Sequence, residues 1–401
     1  MVLRWLFLDM NSYFASVEQQ LQPHLRGKPV VVAAVHTDST ACIAASYEAK
    51  ALGIKTGTNV GMARHMCKGL IVVPARPAEY VDFHKRIIDV VENHLHVDSV
   101  MSIDEMACRL PSNLNSAECA EGIARAIKRS IAEKVGEYVR CSIGIAPNRF
   151  LAKVASDMQK PDGLVILHRE DLPGRLMQLK VRDFPGVGEK MELRLAASGA
   201  DTVAALWGFS PEQMVRAWGG VVGRQFWANL HGEGGGERAT HRHSISHSNV
   251  LAPEMRTPEG SYAMLVRLVH KAAARLRHMG YAAGHIWVGA TYEDRTKWGE
   301  NLRIDDVQDT QTLIEAMAFL WKRRRTGTPK KVGMALYDLE LAQNVTMPLF
   351  GFDEKRLELA RAMDKVNTRF GRQTVYFGEM HGTRRSAGMR IAFNSVPDEN
   401  W

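Results

Sequence analysis

Three acids stand where side-chain chemistry is expected. Asp104 and Glu105 are neighbours in Met101-Ser102-Ile103-Asp104-Glu105-Met106, inside an otherwise apolar run. Successive strand residues point to opposite faces, so adjacent acids cannot both enter one apolar layer. A buried carboxylate without a partner takes up a proton in preference to staying charged. Both acids remain ionised at a strand or hairpin end where divalent cations share the charge; a solvent-facing acidic turn is the plain alternative. Asp9 tips the balance. It closes the run Val2 to Leu8, apolar except for Arg4, which is the pattern of a strand buried on both faces. Asn11 or Ser12 follows as a helix N-cap, with no Glu or Gln to complete a capping box. Asp9, Asp104 and Glu105 together offer enough carboxylates for a pair of Mg²⁺ ions.

Composition bounds what surrounds them. A chain of 401 residues implies two to four domains, and 45% hydrophobic residues support real cores. A formal charge of +8 and a pI near 9.2 fit a polyanionic partner. Cys42, Cys67, Cys108, Cys119 and Cys141 form no CxxC pair and read as reduced thiols, neither a disulfide frame nor a zinc site. No apolar run approaches membrane-spanning length, and Trp5-Leu6-Phe7-Leu8 is too short for a signal-peptide core. A soluble, intracellular protein with no membrane partner is expected.

The elements that must position the acids come next. Strands are expected at 30–35, 42–45, 71–73 and 139–145. Helices are expected at 47–52 (closed by Gly53), 60–68, 80–95, 117–134 and through 150–155. This alternation around an antiparallel core suits a ferredoxin-like sheet, which gathers strand ends from distant parts of the chain. From about 166 the texture changes to short helices. Val181 to Lys190 is a helix-hairpin-helix signal: Gly186 and Gly188 let backbone N–H groups approach a phosphate, and the next helix start, near Lys190, adds its positive end. Gly219 to Arg224 is a weaker second copy, and Gly232 to Gly236 a flexible linker. Beyond it His241, Arg242, His243, Ser244, Ser246, His247 and Ser248 crowd one stretch. No Cys or carboxylate joins the histidines, and strand alternation would face them on a polar surface, so nucleic acid is preferred to metal. A helix at 261–279, strands at 285–291 and 298–304, a helix at 310–322 and a strand at 332–339 complete a βαββαβ order. Lys322-Arg323-Arg324-Arg325 closes its second helix, and a solvated charged C-terminus accounts for that run. A helix at 354–368 and a strand-like 374–377 follow, the helix's stripe of Leu357, Leu359, Ala360, Met363 and Val366 reading as core packing.

Asp9-Met10-Asn11-Ser12-Tyr13-Phe14 and Ser102-Ile103-Asp104-Glu105 are joined by three further motifs. These are Ala45-Ser46-Tyr47-Glu48-Ala49-Lys50, Gly144 to Lys153, and Asp157-Met158-Gln159-Lys160-Pro161-Asp162-Gly163. In order and spacing they resemble the Y-family, or translesion, DNA polymerases from residue 1 to about 340; the remainder is similar to the tail of the catalytic subunit of bacterial polymerase V. The resemblance implies an α/β (α+β) multidomain right-hand polymerase. Its palm would be 1–10 and 71–165, its fingers 11–70, its helical thumb 166–233, a linker 234–240, a little finger 241–341 and a tail 342–401. It implies an enzyme of DNA repair and damage tolerance, cytoplasmic and nucleoid-associated in a bacterium, that adds deoxynucleotides to a primer 3′ end. Two Mg²⁺ ions, replaceable by Mn²⁺, would be held by Asp9, Asp104, Glu105 and the Met10 carbonyl. Asn11, Ser12, Tyr13, Phe14, Ser46, Tyr47, Lys50 and Lys160 would bind the nucleotide, with Phe14 as the steric gate against a ribose 2′-hydroxyl. Lys50 stands where Arg is usual, which keeps the charge and loses the bidentate fork. Gly186, Gly188, Lys190, Arg242, Ser244 and Ser246 would touch primer-template DNA. Met347, Leu349 and Phe350 match the apolar anchors of a sliding-clamp peptide, although Thr346 replaces its glutamine. Recombinase or other accessory subunits are further expected partners.

Two other functions fit parts of the pattern. A catalytically inactive polymerase-fold adaptor of a mutagenesis complex would lose metal carboxylates, and all three are present. A nucleotide cyclase on a related palm leaves the hairpins and the basic second sheet without a purpose.

Overall fold

The computed structural model describes residues 3–35, 37–234, 242–345, 352–371 and 373–383. The chain divides into two units near residue 237. The first is built on a five-stranded sheet in the order β5-β6-β1-β7-β8, comprising β1 (Trp5–Met10), β5 (Val97–Val100), β6 (Glu105–Arg109), β7 (Cys141–Ala146) and β8 (Leu164–Ile166). β1 runs up the middle, antiparallel to both neighbours, with all six residues buried. Strand alternation divides it between two cores. Leu6, Leu8 and Met10 pack with α4 (Pro77–Glu92) and α5 (Ala117–Lys134), while Trp5 and Phe7 meet α6 (Arg149–Met158) and the helices after it. Gly144 on β7 sets the depth of α6. A methyl group there would overlap the Ala152 carbonyl and the Ser156 N–H, so only glycine lets the helix lie this close.

A smaller sheet, β3-β2-β4, combines β2 (Val30–Ala33), β3 (Cys42–Ala45) and β4 (Ile71–Pro74) with α2 (Tyr47–Ala51) and α3 (Val60–Met66). Two boundaries differ from expectation. The strand at 71–74, expected in the palm, pairs parallel with β2, its crossover supplied by α2 and α3. Conversely α1 (Tyr13–Leu21), expected in the fingers, gives Tyr13, Phe14, Ala15 and Val17 to the main core. Its Glu18, fully buried, accepts from Arg76 at 2.5 Å and from the Tyr80 hydroxyl at 2.7 Å, which ties α1 to α4. The helical section contains α7 (Glu189–Ala197), α8 (Val203–Trp207), α9 (Pro211–Trp218) and α10 (Val221–Leu230). All five cysteines are free thiols.

In the second unit β9 (Ser244–Val250), α11 (Pro258–His278), β10 (Tyr281–Tyr292), β11 (Lys297–Val307), α12 (Thr310–Lys322) and β12 (Pro329–Leu341) give the expected βαββαβ order. The sheet, β11-β10-β12-β9, is antiparallel throughout, and α11 and α12 cover one face. Past it, α13 (Phe352–Phe370) is held by Arg277, which donates to Asp364 at 2.7 and 2.9 Å from a nearly buried position. Ala360 of its stripe is buried, whereas Leu359 is exposed. The strand expected at 374–377 does not form: Val375 exchanges both backbone bonds with the Asn367 side chain, and Phe377 packs on the core. The basic run after α12 is consumed locally. Arg323 pairs with Glu300, Arg324 donates to the Trp321 carbonyl, and Arg325 pairs with Asp294. Among the described residues no helix is long and apolar enough to cross a membrane.

Candidate active site

Asp9 shares its face of β1 with Trp5 and Phe7, the face that α6 covers, and Glu105 stands directly opposite on β6. Facing residues of an antiparallel pair project to the same side, so the two carboxylates converge. Asp104 ends the hairpin that joins β5 to β6. Its carbonyl accepts the Met10 N–H at 2.8 Å, and its carboxylate accepts the Ser102 hydroxyl at 2.5 Å. The acid pair therefore sits at a hairpin end beside the end of β1.

Helix α6 brings opposite charge to the same point. Lys153 donates to Asp9, to Glu105 at 2.7 Å and to Asp157 at 3.2 Å. Lys160, just past the helix, donates to Asp9 and to Asp157, both at 2.7 Å. Burial works to raise the Asp9 carboxyl, but the two ammonium groups outweigh it and hold Asp9 below the usual carboxylate range. For Asp104 burial prevails, aided by the Asp9 charge, and its pKa is raised. Glu105 is also raised by burial, against the pull of Lys153. Lys153 and Asp157 lie within family-like motifs in the sequence, which by itself assigns neither a role. Their spacing of four puts them on one helix face, but only the fold shows that this face looks at Asp9.

The donor set is oxygen only, which suits a hard divalent cation. Among the described residues no three His, Cys, Asp or Glu side chains are arranged as metal ligands. At Asp9 the Lys153 ammonium fills the point among three carboxylates that a cation would occupy.

The expected nucleotide residues divide into two sets. Tyr47 and Lys50, on α2, feel the charges of Lys160 and Asp9, so both lie at the site; Lys50 Nζ sits over the Tyr47 ring at 4.5 Å. Burial and the nearby Lys160 lower the Lys50 pKa. Ser12 begins α1 at φ +48, with a buried hydroxyl that faces Tyr47. It occupies the N-cap position without making the expected cap bond. The other set is turned inward. Asn11 donates to Ser142 at 3.0 Å and accepts the Asp162 N–H at 2.7 Å, holding the loop that carries Lys160. Tyr13 donates to the Tyr80 carbonyl at 2.6 Å, and the Ser46 hydroxyl caps α2 while bonding Lys28 and Val30. The side chains of Asn11, Tyr13 and Ser46, expected at the nucleotide, make these internal bonds. Phe14 stacks on Tyr80 at 4.6 Å and is buried.

Two surfaces carry the expected DNA residues. Gly186 adopts φ +88, and Gly188 starts α7 with no side-chain cap, leaving the first N–H groups of that helix and exposed Lys190 facing outward. Gly219 (φ +88) and Gly220 (φ +154) make a second hairpin between α9 and α10. In the second unit Ser244 and Ser246 lie on the sheet face away from the helices, with Arg242 exposed just before them. Strand registers place Ser246, Ala335, Trp287 and Asn301 in one row across that face, and Ser248, Gly333, Gly289 and Gly299 in the next. Trp287 lies over Gly289 and Gly299, and Arg303, Lys331 and Lys297 supply cations from neighbouring rows. The histidines divide otherwise than expected. His243 is exposed and His241 lies outside the described residues, but His247 points toward α11. There burial, with Lys271 and Arg275 nearby, lowers its pKa to about 4. The clamp-like residues Met347, Leu349 and Phe350 also lie outside the described residues.

A sheet that gathers three acids at the end of its central strand, with two lysines from α6 and the loop after it beside them, is the arrangement of a palm-type nucleotidyl-transfer enzyme. The comparisons with known proteins give the family. Residues 8–157 match the impB/mucB/samB family and 242–349 its C-terminal domain. The chain is 34% identical over 387 residues to DNA polymerase IV of Moorella thermoacetica, covering 92% of this chain and 94% of the relative. To DNA polymerase IV 1 of Bacillus subtilis it is 29% identical over 398 residues, covering 96% and 95%. Among solved structures, a Y-family DNA polymerase chimera of Dbh and Dpo4 superposes with a TM-score of 0.71 at 24% identity, over 84% of this chain and 99% of that one. DinB from Sulfolobus solfataricus gives 0.56 at 25%, over 83% and 98%. The chain belongs to the impB/mucB/samB family and is a Y-family DNA-directed DNA polymerase of the translesion, DNA polymerase IV kind. The relatives that align through the tail carry the polymerase IV name, and they give the polymerase V likeness of the tail no support of its own.

Proposed function

We propose that this chain extends a primer 3′ end across damaged template, with two Mg²⁺ ions held by Asp9, Asp104, Glu105 and the Met10 carbonyl. The observation that carries the reading is the convergence of Asp9 and Glu105 on the Lys153 ammonium at the end of β1, with the Asp104 carboxylate close enough to feel the Asp9 charge, a cation position in a site with oxygen donors alone. Two divalent ions held by these residues would supply activation of the primer hydroxyl and neutralisation of the phosphate charge; Mn²⁺ would substitute.

The chain's own residues do the rest. Tyr47, Lys50 and Lys160 meet the triphosphate, and the Ser12 hydroxyl beside Tyr47 and the N–H groups at the α1 start are suited to the same anion. Asn11, Tyr13 and Ser46 serve that site by fixing its walls. Phe14, backed by Tyr80, is the steric gate against a 2′-hydroxyl. Gly186, Gly188 and Lys190 take a DNA phosphate at the hairpin, and Arg242, Ser244 and Ser246 hold the backbone at the rim of the outer sheet face. Met347, Leu349 and Phe350 are assigned to the sliding clamp on sequence alone, as are recombinase or accessory subunits and work on the bacterial nucleoid.

Primer extension with purified protein and Mg²⁺ on undamaged, abasic and bulky-adduct templates tests the reading. Extension past at least one lesion, abolished in Asp104→Ala, is expected. DNA binding with no extension on any template would leave the inactive-adaptor alternative standing.

A further inference from the structure

Lys153 is anchored more heavily than a surface lysine needs to be. Its ammonium bonds Asp9, Glu105 and Asp157 together, its side chain is only 18% exposed, and it also lies 5.4 Å from the centre of the Phe7 ring. Without it, three carboxylates on two strands and a helix would face one another across a point that, among the described residues, no other cation bonds to all three. Lys160 reaches Asp9 and Asp157 but not Glu105 among its ion pairs. Like charges held this close in a poorly solvated site repel strongly.

We propose that Lys153 is a resident counter-cation. It keeps the metal carboxylates converged in the metal-free protein and must be displaced from Asp9 and Glu105 when a divalent ion enters. The inference rests on the metal reading above and adds an exchange to it. The ammonium has somewhere to go, because Asp157, one turn along α6, is not among the proposed ligands, and the Phe7 face borders it. Lys153 thus acts as a positioning residue: it preserves the geometry of the site and weakens the affinity of the first ion by competing for its seat. No bond to carbon, oxygen or phosphorus changes in the exchange.

The test is Mn²⁺ titration without DNA or nucleotide, following free Mn²⁺ by electron paramagnetic resonance, on the wild type, Lys153→Gln, Asp157→Asn and Asp104→Asn. Lys153→Gln is expected to bind Mn²⁺ about ten-fold more tightly than the wild type. Asp157→Asn is expected to bind several-fold more weakly, because the ammonium has lost its alternative partner. Damage to the fold lowers metal affinity, whereas release of a competing cation raises it, so a gain cannot come from a merely structural role. Saturable wild-type binding that is unchanged or weaker in Lys153→Gln overturns the inference and leaves the metal reading intact. If Lys153→Gln does not fold, unchanged affinity in Asp157→Asn overturns the inference. Wild-type binding no stronger than that of Asp104→Asn overturns the metal reading and the inference with it.

Discussion

The gate role proposed for Phe14 depends on what supports its ring. Its ring is stacked on Tyr80, whose hydroxyl is held by the buried Glu18, which in turn is clamped by Arg76. A gate must not yield when a 2′-hydroxyl presses on it, and this chain of contacts leaves Phe14 little room to move. Phe14→Ala is expected to raise ribonucleotide incorporation relative to deoxynucleotide by at least about a hundred-fold, the order available when a steric clash worth a few kcal/mol is removed. Competition between labelled rNTP and dNTP on one template measures it, and unchanged sugar selectivity removes the gate assignment. Asp9, Asp104 and Glu105 were legible at this scale, because acids ending or interrupting apolar runs contradict their surroundings. Lys153 was not, since a lysine on an amphipathic helix contradicts nothing until its face is known.

At the scale of elements, the depth of α6 against β7 decides whether that lysine reaches Asp9. Gly144→Ala would push the helix outward. The expected cost is about 1–3 kcal/mol of stability, as for other insertions into a packed interior, together with loss of most extension activity. Thermal melting and primer extension on the same preparation check both, and full activity in the variant would show that the close approach is not needed. A second prediction concerns α11. Burial, then the charge of Arg277, lowers the His270 pKa from 6.5 to about 4. The unfolded chain therefore takes up the proton first, and stability falls as the pH drops from about 6.5 toward 4, by at most about 3 kcal/mol. His270→Gln has no such proton to gain, so its melting temperature should fall less between pH 7 and pH 5 than that of the wild type. Parallel falls would contradict the assignment. Local periodicity revealed most elements, but not their partners. The strand at 71–74 reads the same whichever sheet it joins, and the helix at 13–21 carries apolar residues that suit either core. For Thr374 to Phe377, β-prone residues were read as a strand, yet side-chain bonds from Asn367 satisfy the backbone instead.

For the whole molecule, the net charge of +8 becomes specific once the second sheet is laid out. The rows from Arg303 to Lys297 hold Arg303, Lys331 and Lys297, with Asp338 paired to His285 at one end, so DNA binding should release counterions there. Arg303→Ala and Lys331→Ala are each expected to reduce the slope of log K against log salt by about 1 if the residue neutralises one phosphate. Fluorescence anisotropy with primer-template DNA at several salt concentrations reads this, and unchanged slopes would move the DNA contact to another surface. The βαββαβ order of this unit was readable because its helices and strands carry clean and different periods. The glycine bed under Trp287 was not, since Gly289 and Gly299 come together only through strand register.

The central claim is that the acids at the end of β1 hold a pair of catalytic ions. Anomalous scattering from a crystal grown with primer-template DNA, a non-hydrolysable deoxynucleotide and Mn²⁺ tests it most directly. Two peaks about 3.5–4 Å apart, both touching Asp9 and Asp104 and one touching Glu105, are expected. The same crystal with no peak at these side chains, and Lys153 still bonded to Asp9 and Glu105 beside a bound nucleotide, would contradict it.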